Sequence, residues 1–270
     1  MRPPIKCHGG KYYLKKWIID HFPEDYQSML YCEPYIGGGS VFLAKKRSTI
    51  EIIGDLDPRV YSLWFQLTKN SREFIQKVSN VSYTKKNFDL AKNIQDKLIN
   101  ENDFLNLAVS EYIRRRMSRG ADRKTFGWSE RLRGGKPEYL NSWNTALDNL
   151  SHVAIRCQGV TVECLSAIEM IKKYDSPKTL FYLDPPYLHD TRVTKNNYEF
   201  EMDEADHRIL LECLKVVRGR VLLSGYDNPI YNEYLVGWKR HVKSIVNHSS
   251  QKKQKPIKLE VIWSNDGGPV

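Results

Sequence analysis

Asp184-Pro185-Pro186-Tyr187 is the stretch of this sequence whose residue types most directly prescribe a chemistry. Two successive prolines forbid helix or ladder hydrogen bonding at that point and restrict the backbone. The Asp184 carboxylate and the Pro185 carbonyl are then held rigidly outward beside the Tyr187 ring. Such a set suits an exocyclic amine: each oxygen accepts one N–H while the tyrosine stacks on the attached ring. Holding both N–H bonds draws the nitrogen lone pair out of conjugation and aims it at an electrophile. This is catalysis by orientation and electrostatics, without a covalent nucleophile.

A second constellation is Glu33-Pro34-Tyr35-Ile36-Gly37-Gly38-Gly39-Ser40. Gly37, Gly38 and Gly39 form a turn at which backbone can approach a ligand at the carboxyl edge of a sheet, where open α/β folds bind. A dinucleotide fingerprint would place glycines at 37, 39 and 42; position 42 is Phe, which weakens a pyrophosphate reading. Asp55 ends the following strand, where an acid accepts hydrogen bonds from both hydroxyls of a ribose. The pair points to an adenosine-containing ligand that need not carry a diphosphate; a plain glycine turn with a helix-capping Asp is the structural alternative.

Charge marks a third region. The chain carries 42 Lys plus Arg against 32 Asp plus Glu, a net +10. Nine of the basic residues lie between 114 and 136 (Arg114, Arg115, Arg116, Arg119, Arg123, Lys124, Arg131, Arg133 and Lys136), against only Asp122 and Glu130. Phe126 and Trp128 stand among them, and Gly120, Gly127, Gly134 and Gly135 interrupt any regular element. Without helical periodicity the segment reads as a loop or hairpin excursion with a phosphate-contacting surface. Lys252, Lys253, Lys255 and Lys258 form a weaker cluster that a solvated turn explains equally well.

The elements that would position these groups follow from periodicity. A first helix is expected through Leu14, Trp17, Ile18 and Phe22, ending at Pro23. A short strand Met29–Cys32 leads into the glycine turn, and Val41–Ala44 reads as a helical start. Strand Ile50–Ile53 precedes Asp55, and Pro58 opens a helix with Val60, Leu63, Trp64 and Leu67 inside. Later come strand Val160–Glu163, a helix from Ile168 to Tyr174 and strand Thr179–Leu183, which runs straight into Asp184. A helix from Glu204 to Val217 and strands Arg220–Ser224 and Leu259–Trp263 complete the alternation. The expected class is α/β, a mostly parallel doubly wound sheet. Residues 69–151 break the pattern with helix-prone stretches at Phe88–Leu98, Phe104–Tyr112 and Leu140–Leu150. They read as an insertion between 1–68 and 152–270.

Length and composition agree. With 270 residues, 41% hydrophobic and 27% charged, the chain suits one large domain or one with an insertion, and excludes disorder and collagen. No run of 18 apolar residues and no apolar leader-like start are present, so no membrane is expected and an intracellular location is. Five scattered cysteines, with no Cys-x-x-Cys pair and no His at ligand spacing, argue against a disulfide framework or a metal site.

The residues as a set resemble a known family, the S-adenosylmethionine-dependent DNA adenine-N6 methyltransferases of the Dam type, particularly phage and prophage members. The matching stretches are His8-Gly9-Gly10-Lys11, Glu33 through Leu43, Gly54-Asp55, Asp184 through Tyr187, Leu223-Ser224-Gly225-Tyr226 and Glu260-Val261-Ile262-Trp263, in family order along the whole chain. The resemblance implies a Rossmann-like methyltransferase sheet and a mainly helical target-recognition insertion. It places Lys11 and Gly37 to Gly39, with Tyr35, near the methionine end of the cofactor, Asp55 at its ribose, and Glu163 and Cys164 beside its adenine. Asp184, Pro185, Pro186 and Tyr187 would grip the target base, Asp184 also bordering the cofactor. Such enzymes commonly carry an aromatic where this chain has Cys7, so the wall of the methionine pocket differs.

The resulting expectation is methyl transfer from S-adenosylmethionine to N6 of an adenine flipped out of double-stranded DNA, with no metal and no obligate protein partner. Arg114, Arg115, Arg116, Arg119, Arg123, Lys124, Arg131 and Arg133 would hold DNA, and Phe126, Trp128 or Met117 would fill the vacated stack. His189 reads as a loop residue. Rival readings are a cytosine-N4, RNA or protein-amide methyltransferase, and a non-catalytic DNA-binding protein of the same fold. A nicotinamide oxidoreductase is a third, weakened by Phe42.

Overall fold

A computed structural model describes residues 1–7, 9–98, 103–188, 202–246 and 257–265. In chain order these form α1 (Lys15–Ile19), β1 (Leu30–Glu33), β2 (Ile50–Gly54), α2 (Pro58–Lys69), α3 (Ser71–Ser79), α4 (Lys85–Leu98) and α5 (Phe104–Met117). Then come β3 (Leu132–Arg133), β4 (Lys136–Pro137), α6 (Glu138–Cys157), β5 (Thr161–Glu163), α7 (Ala167–Tyr174) and β6 (Thr179–Leu183). The chain continues with α8 (Glu204–Leu214), β7 (Arg220–Tyr226), α9 (Pro229–Tyr234), β8 (Lys239–Val246) and β9 (Ile257–Ser264). Two units divide it: Met1–Asp20, Ile36–Lys46 and Gly54–Cys164 in the first, and His21–Tyr35, Arg47–Ile53 and Leu165–Val270 in the second.

The second unit is built on the sheet. Its strands adjoin in the order β2-β1-β6-β7-β9-β8. β2, β1, β6 and β7 run parallel, while β9 pairs antiparallel with both β7 and β8. Every residue of β6 is buried, as a parallel strand covered on both faces requires. On one face Phe181, Leu183, Val221, Leu223, Val261 and Trp263 pack with Met170 and Ile171 of α7, Leu210 and Leu211 of α8, and Tyr231 of α9. The chain leaves β1 for β2 on one side while β6 flanks β1 on the other. The carboxyl ends of β1 and β6 are therefore a topological switch point, where α/β sheets place ligands. Capping boxes fix the starts of α7 (Ser166, Glu169) and α8 (Asp203, Asp206).

The first unit is mainly helical. Asp57 caps α2 and Pro58 occupies its first turn, as the sequence implies. Asp103 caps α5 through the Asn106 N–H at 3.0 Å. The core is aromatic: Phe42 meets Trp64 at 5.8 Å between ring centroids, Phe74 meets Tyr112 at 6.0 Å, and Tyr112 meets Trp143 at 5.5 Å. β3 and β4 form a small antiparallel hairpin through Gly134 and Gly135, whose φ of 61° and 75° match a two-residue turn that glycine adopts without strain. β5 belongs to this unit too, and the Asp55 N–H donates to the Glu163 carbonyl at 3.3 Å. Among the described residues no helix is long and apolar enough to cross a membrane.

Several elements differ from expectation. Val41–Ala44 makes turns rather than a helix, with Leu43 N–H bonded to Gly39 and Lys45 N–H to Val41. α5 runs on through Arg114, Arg115 and Arg116 to Met117, so the basic segment opens as a helix. Its periodicity is invisible because buried arginines stand where apolar residues would mark the inner face. α3, α9 and β8 are elements that the sequence periodicity does not mark.

Candidate active site

The glycine turn and Asp55 lie together in the first unit. The Ile36 N–H donates to the Gly54 carbonyl at 2.9 Å, anchoring the turn to the end of β2. Gly37 and Gly39 have φ of 44° and 67°, in the left-handed region. A Cβ on Gly39 would come within 2.5 Å of the Trp64 ring, whose Nε1 donates to the Gly37 carbonyl at 2.9 Å. Asp55 closes the turn: its Oδ2 accepts from the Gly37 N–H and its Oδ1 from the Asp57 N–H, each at 3.0 Å. Each carboxylate oxygen keeps a further lone pair, the acceptor set that a vicinal diol needs. Burial foremost, then the Asp57 carboxylate, pushes the Asp55 carboxyl up to about 7, although its two backbone donors pull the other way.

Of the other expected cofactor residues of this unit, Cys7 adjoins the turn and Glu163 adjoins Asp55. The Cys7 sulfur would lie 3.6–3.7 Å from a Cβ on Gly38 or Gly37, and burial pushes its thiol up. Lys11 is buried, and its Nζ donates to the Gly9 carbonyl at 3.1 Å. The Glu163 carbonyl accepts from the Asp55 N–H, and the Cys164 thiol is raised by partial desolvation and then by the Asp55 and Asp57 charges.

Asp184 to Tyr187 lie in the second unit at the end of β6. Pro185 is buried, and Asp184, Pro186 and Tyr187 are partly so. The Tyr187 hydroxyl donates to Glu260 Oε1, and its ring packs edge-on against Tyr226 at 4.6 Å between centroids and 71° between planes. Burial, with the Glu260 and then the Asp184 charge, holds the Tyr187 hydroxyl neutral far above its ordinary range. The same Asp184 charge reinforces the effect of burial on Tyr182 and Tyr231. Tyr35, in this unit too, donates from its hydroxyl to Met202 Sδ at 3.5 Å. Glu260 and Tyr226 belong to stretches the sequence singles out, but their service to Tyr187 depends on the β7–β9 register, which sequence does not display.

The basic segment divides. Arg115 bonds Glu111 at 2.7 Å, and Arg116 donates to the Pro4 and Pro3 carbonyls at 2.6 Å each. Arg123 bridges Asp57 at 3.5 Å and Glu111 at 3.6 Å. Arg114 is buried over the Phe88 ring at 4.6 Å. Burial alone would raise the Glu111 carboxyl, but the Arg115 and Arg123 guanidiniums outweigh it and hold it below its ordinary value. These four arginines are turned inward. Arg119, Lys124, Arg131, Arg133 and Lys136 are exposed. Met117 is fully buried, and Phe126 packs on Tyr83 and Phe88 at 5.4 and 5.7 Å, whereas Trp128 is 65% exposed. His189 and three of the four lysines of the late cluster, Lys252, Lys253 and Lys255, lie outside the described residues; Lys258 falls in β9.

Residues 8–251 match the D12 class N6 adenine-specific DNA methyltransferase family. Among solved structures, the chain is similar to the rRNA methyltransferase aviRa from Streptomyces viridochromogenes, at 12% identity and a TM-score of 0.41, covering 98% of this chain and 88% of that one. It is also similar to an rRNA methylase from Streptococcus thermophilus, at 8% identity and a TM-score of 0.32, covering 92% and 93%. No curated protein matches the chain in sequence.

Proposed function

Because the chain belongs to the D12 class N6 adenine-specific DNA methyltransferase family, we propose that it methylates N6 of an adenine extruded from double-stranded DNA, with S-adenosylmethionine as donor. The observation that carries this reading is the Asp184–Tyr187 turn at the carboxyl end of the buried strand β6, at the switch point of the sheet. Asp184 and the Pro185 carbonyl accept the two N–H bonds of the amine, leaving its lone pair to attack. Tyr187 supplies the stacking face.

Asp55 holds the ribose diol of the cofactor, and Gly37 to Gly39 with Lys11 and Cys7 border its amino-acid end. Tyr35 is assigned to the same end of the cofactor, and Glu163 and Cys164 to its adenine. When bound, the sulfonium supplies an electrophilic methyl group and no metal is required. Residues 69–151 act as the target-recognition insertion and 1–68 with 152–270 as the catalytic part. The exposed cations Arg119, Lys124, Arg131 and Arg133 contact phosphates. Trp128 offers a ring for the gap left by the flipped base, whose extrusion costs a few kcal/mol. Arg114, Arg115, Arg116, Arg123 and Phe126 support that surface from inside.

The test is methyl incorporation into DNA, RNA and protein with the products resolved to nucleosides. N6-methyladenine in duplex DNA is the expected product; N4-methylcytosine, or label only in RNA or protein, overturns the reading. Asp55 adds a pH signature. Ribose hydroxyls donate to the carboxylate, so cofactor affinity is full above about 7 and falls as Asp55 takes up a proton below it, by about tenfold per pH unit. Equilibrium binding of the cofactor across pH checks this, and Asp55→Asn should flatten the profile while weakening binding.

A further inference from the structure

A tyrosine that serves as a stacking platform has a broad ring torsion unless something holds its edge. The two prolines restrain only the backbone of the turn. The Tyr187 side chain is held as well: its hydroxyl is bonded to Glu260, and its ring rests against Tyr226 at 4.6 Å. Glu260 is 2% exposed on β9, directly opposite Tyr226 of β7 and Lys243 of β8 in register. A carboxylate so deep in a sheet is costly to desolvate, and an apolar residue there would pack at less expense. From that position its side chain reaches the tip of Tyr187.

We propose that Glu260 is a positioning residue for methyl transfer: acting through the Tyr187 hydroxyl, it fixes the plane on which the target base stacks. This rests on the proposed function of the Asp184–Tyr187 turn. Because the Tyr187 hydroxyl stays protonated far above neutrality, the donor end of the bond persists across the working pH range. Glu260 touches neither the amine nor the cofactor in this scheme. It keeps the ring aligned with the acceptors of Asp184 and Pro185, and a misaligned base loses rate because the near-attack geometry is lost.

The experiment measures single-turnover methylation of duplex DNA, DNA affinity and cofactor affinity for the wild type, Tyr187→Phe, Glu260→Leu, Glu260→Gln and the Tyr187→Phe/Glu260→Leu double variant. Tyr187→Phe keeps the ring and loses the donor. It and Glu260→Leu should each slow the methyl-transfer step by about tenfold or more with both affinities held. The double variant should be no slower than the slower single one, because both changes break the same bond. Glu260→Gln, which retains an acceptor oxygen, should recover most of the rate lost in Glu260→Leu. Wild-type rate in Tyr187→Phe, or multiplicative losses in the double variant, overturns the proposal. If Glu260→Leu does not fold, Tyr187→Phe still decides. A wild-type protein that leaves DNA unmethylated sinks the proposed function instead, so the two failures read differently.

Discussion

Arg115 and Arg131 belong to one basic stretch of sequence, yet the side chain of Arg115 is 11% exposed against Glu111, while that of Arg131 is 77% exposed with Glu138 at 3.5 Å. The same division runs through the segment: Arg114, Arg116 and Arg123 turn inward with Arg115, and Arg119, Lys124, Arg133 and Lys136 turn outward with Arg131. Local backbone explains it. The inward arginines sit on α5 or are drawn in by carboxylates, Arg123 at a φ of 59° with Asp57 and Glu111 as partners. The outward ones lie on the hairpin and its approaches, where Arg131 meets a carboxylate, Glu138, that is itself partly exposed. A net charge read from sequence therefore counts two populations as one, and only the second is available to phosphates.

Substitutions that separate the two populations range from severe to negligible in their effect on stability. Arg115→Ala leaves Glu111 buried with its nearest charged partner gone, and should cost about 3–5 kcal/mol in chemical denaturation. Arg116→Ala removes two charge-assisted bonds to the Pro3 and Pro4 carbonyls and should cost about 1.5–3 kcal/mol in the same assay. The Arg131→Ala/Arg133→Ala pair should change stability by no more than about 0.5 kcal/mol. It should instead weaken DNA binding and reduce the salt slope by about 0.9 for each phosphate that is no longer neutralised, measured by titration at several salt concentrations. Lys85→Ala, which breaks an exposed pair with Asp89, should register below about 0.5 kcal/mol and leave the salt slope alone. The division fails if Arg115→Ala flattens the salt slope at unchanged stability.

The sheet and the turn after β6 were legible because their signals are local. Thr179–Leu183 is an apolar run ended by two prolines, and Asp57-Pro58 is a cap whose geometry needs no distant partner. The glycine turn beside Asp55 was legible for the same reason. What escaped depends on packing. Val41–Ala44 has helical composition but is spent in turns between Gly39 and Lys45. β8 is a basic edge strand whose identity comes from pairing with β9, and Glu260 gains its role from a register across two strands. The inward arginines escaped because sequence does not say that Glu111 is fully buried.

The grip on the amine is tested most directly by Asp184→Ala. DNA affinity should be retained while methylation of duplex adenine falls by at least about a hundredfold, the loss typical of removing a preorganised group that acts on the reacting atom. Methylation at near wild-type rate in that variant would contradict the assignment of the turn as the site of chemistry.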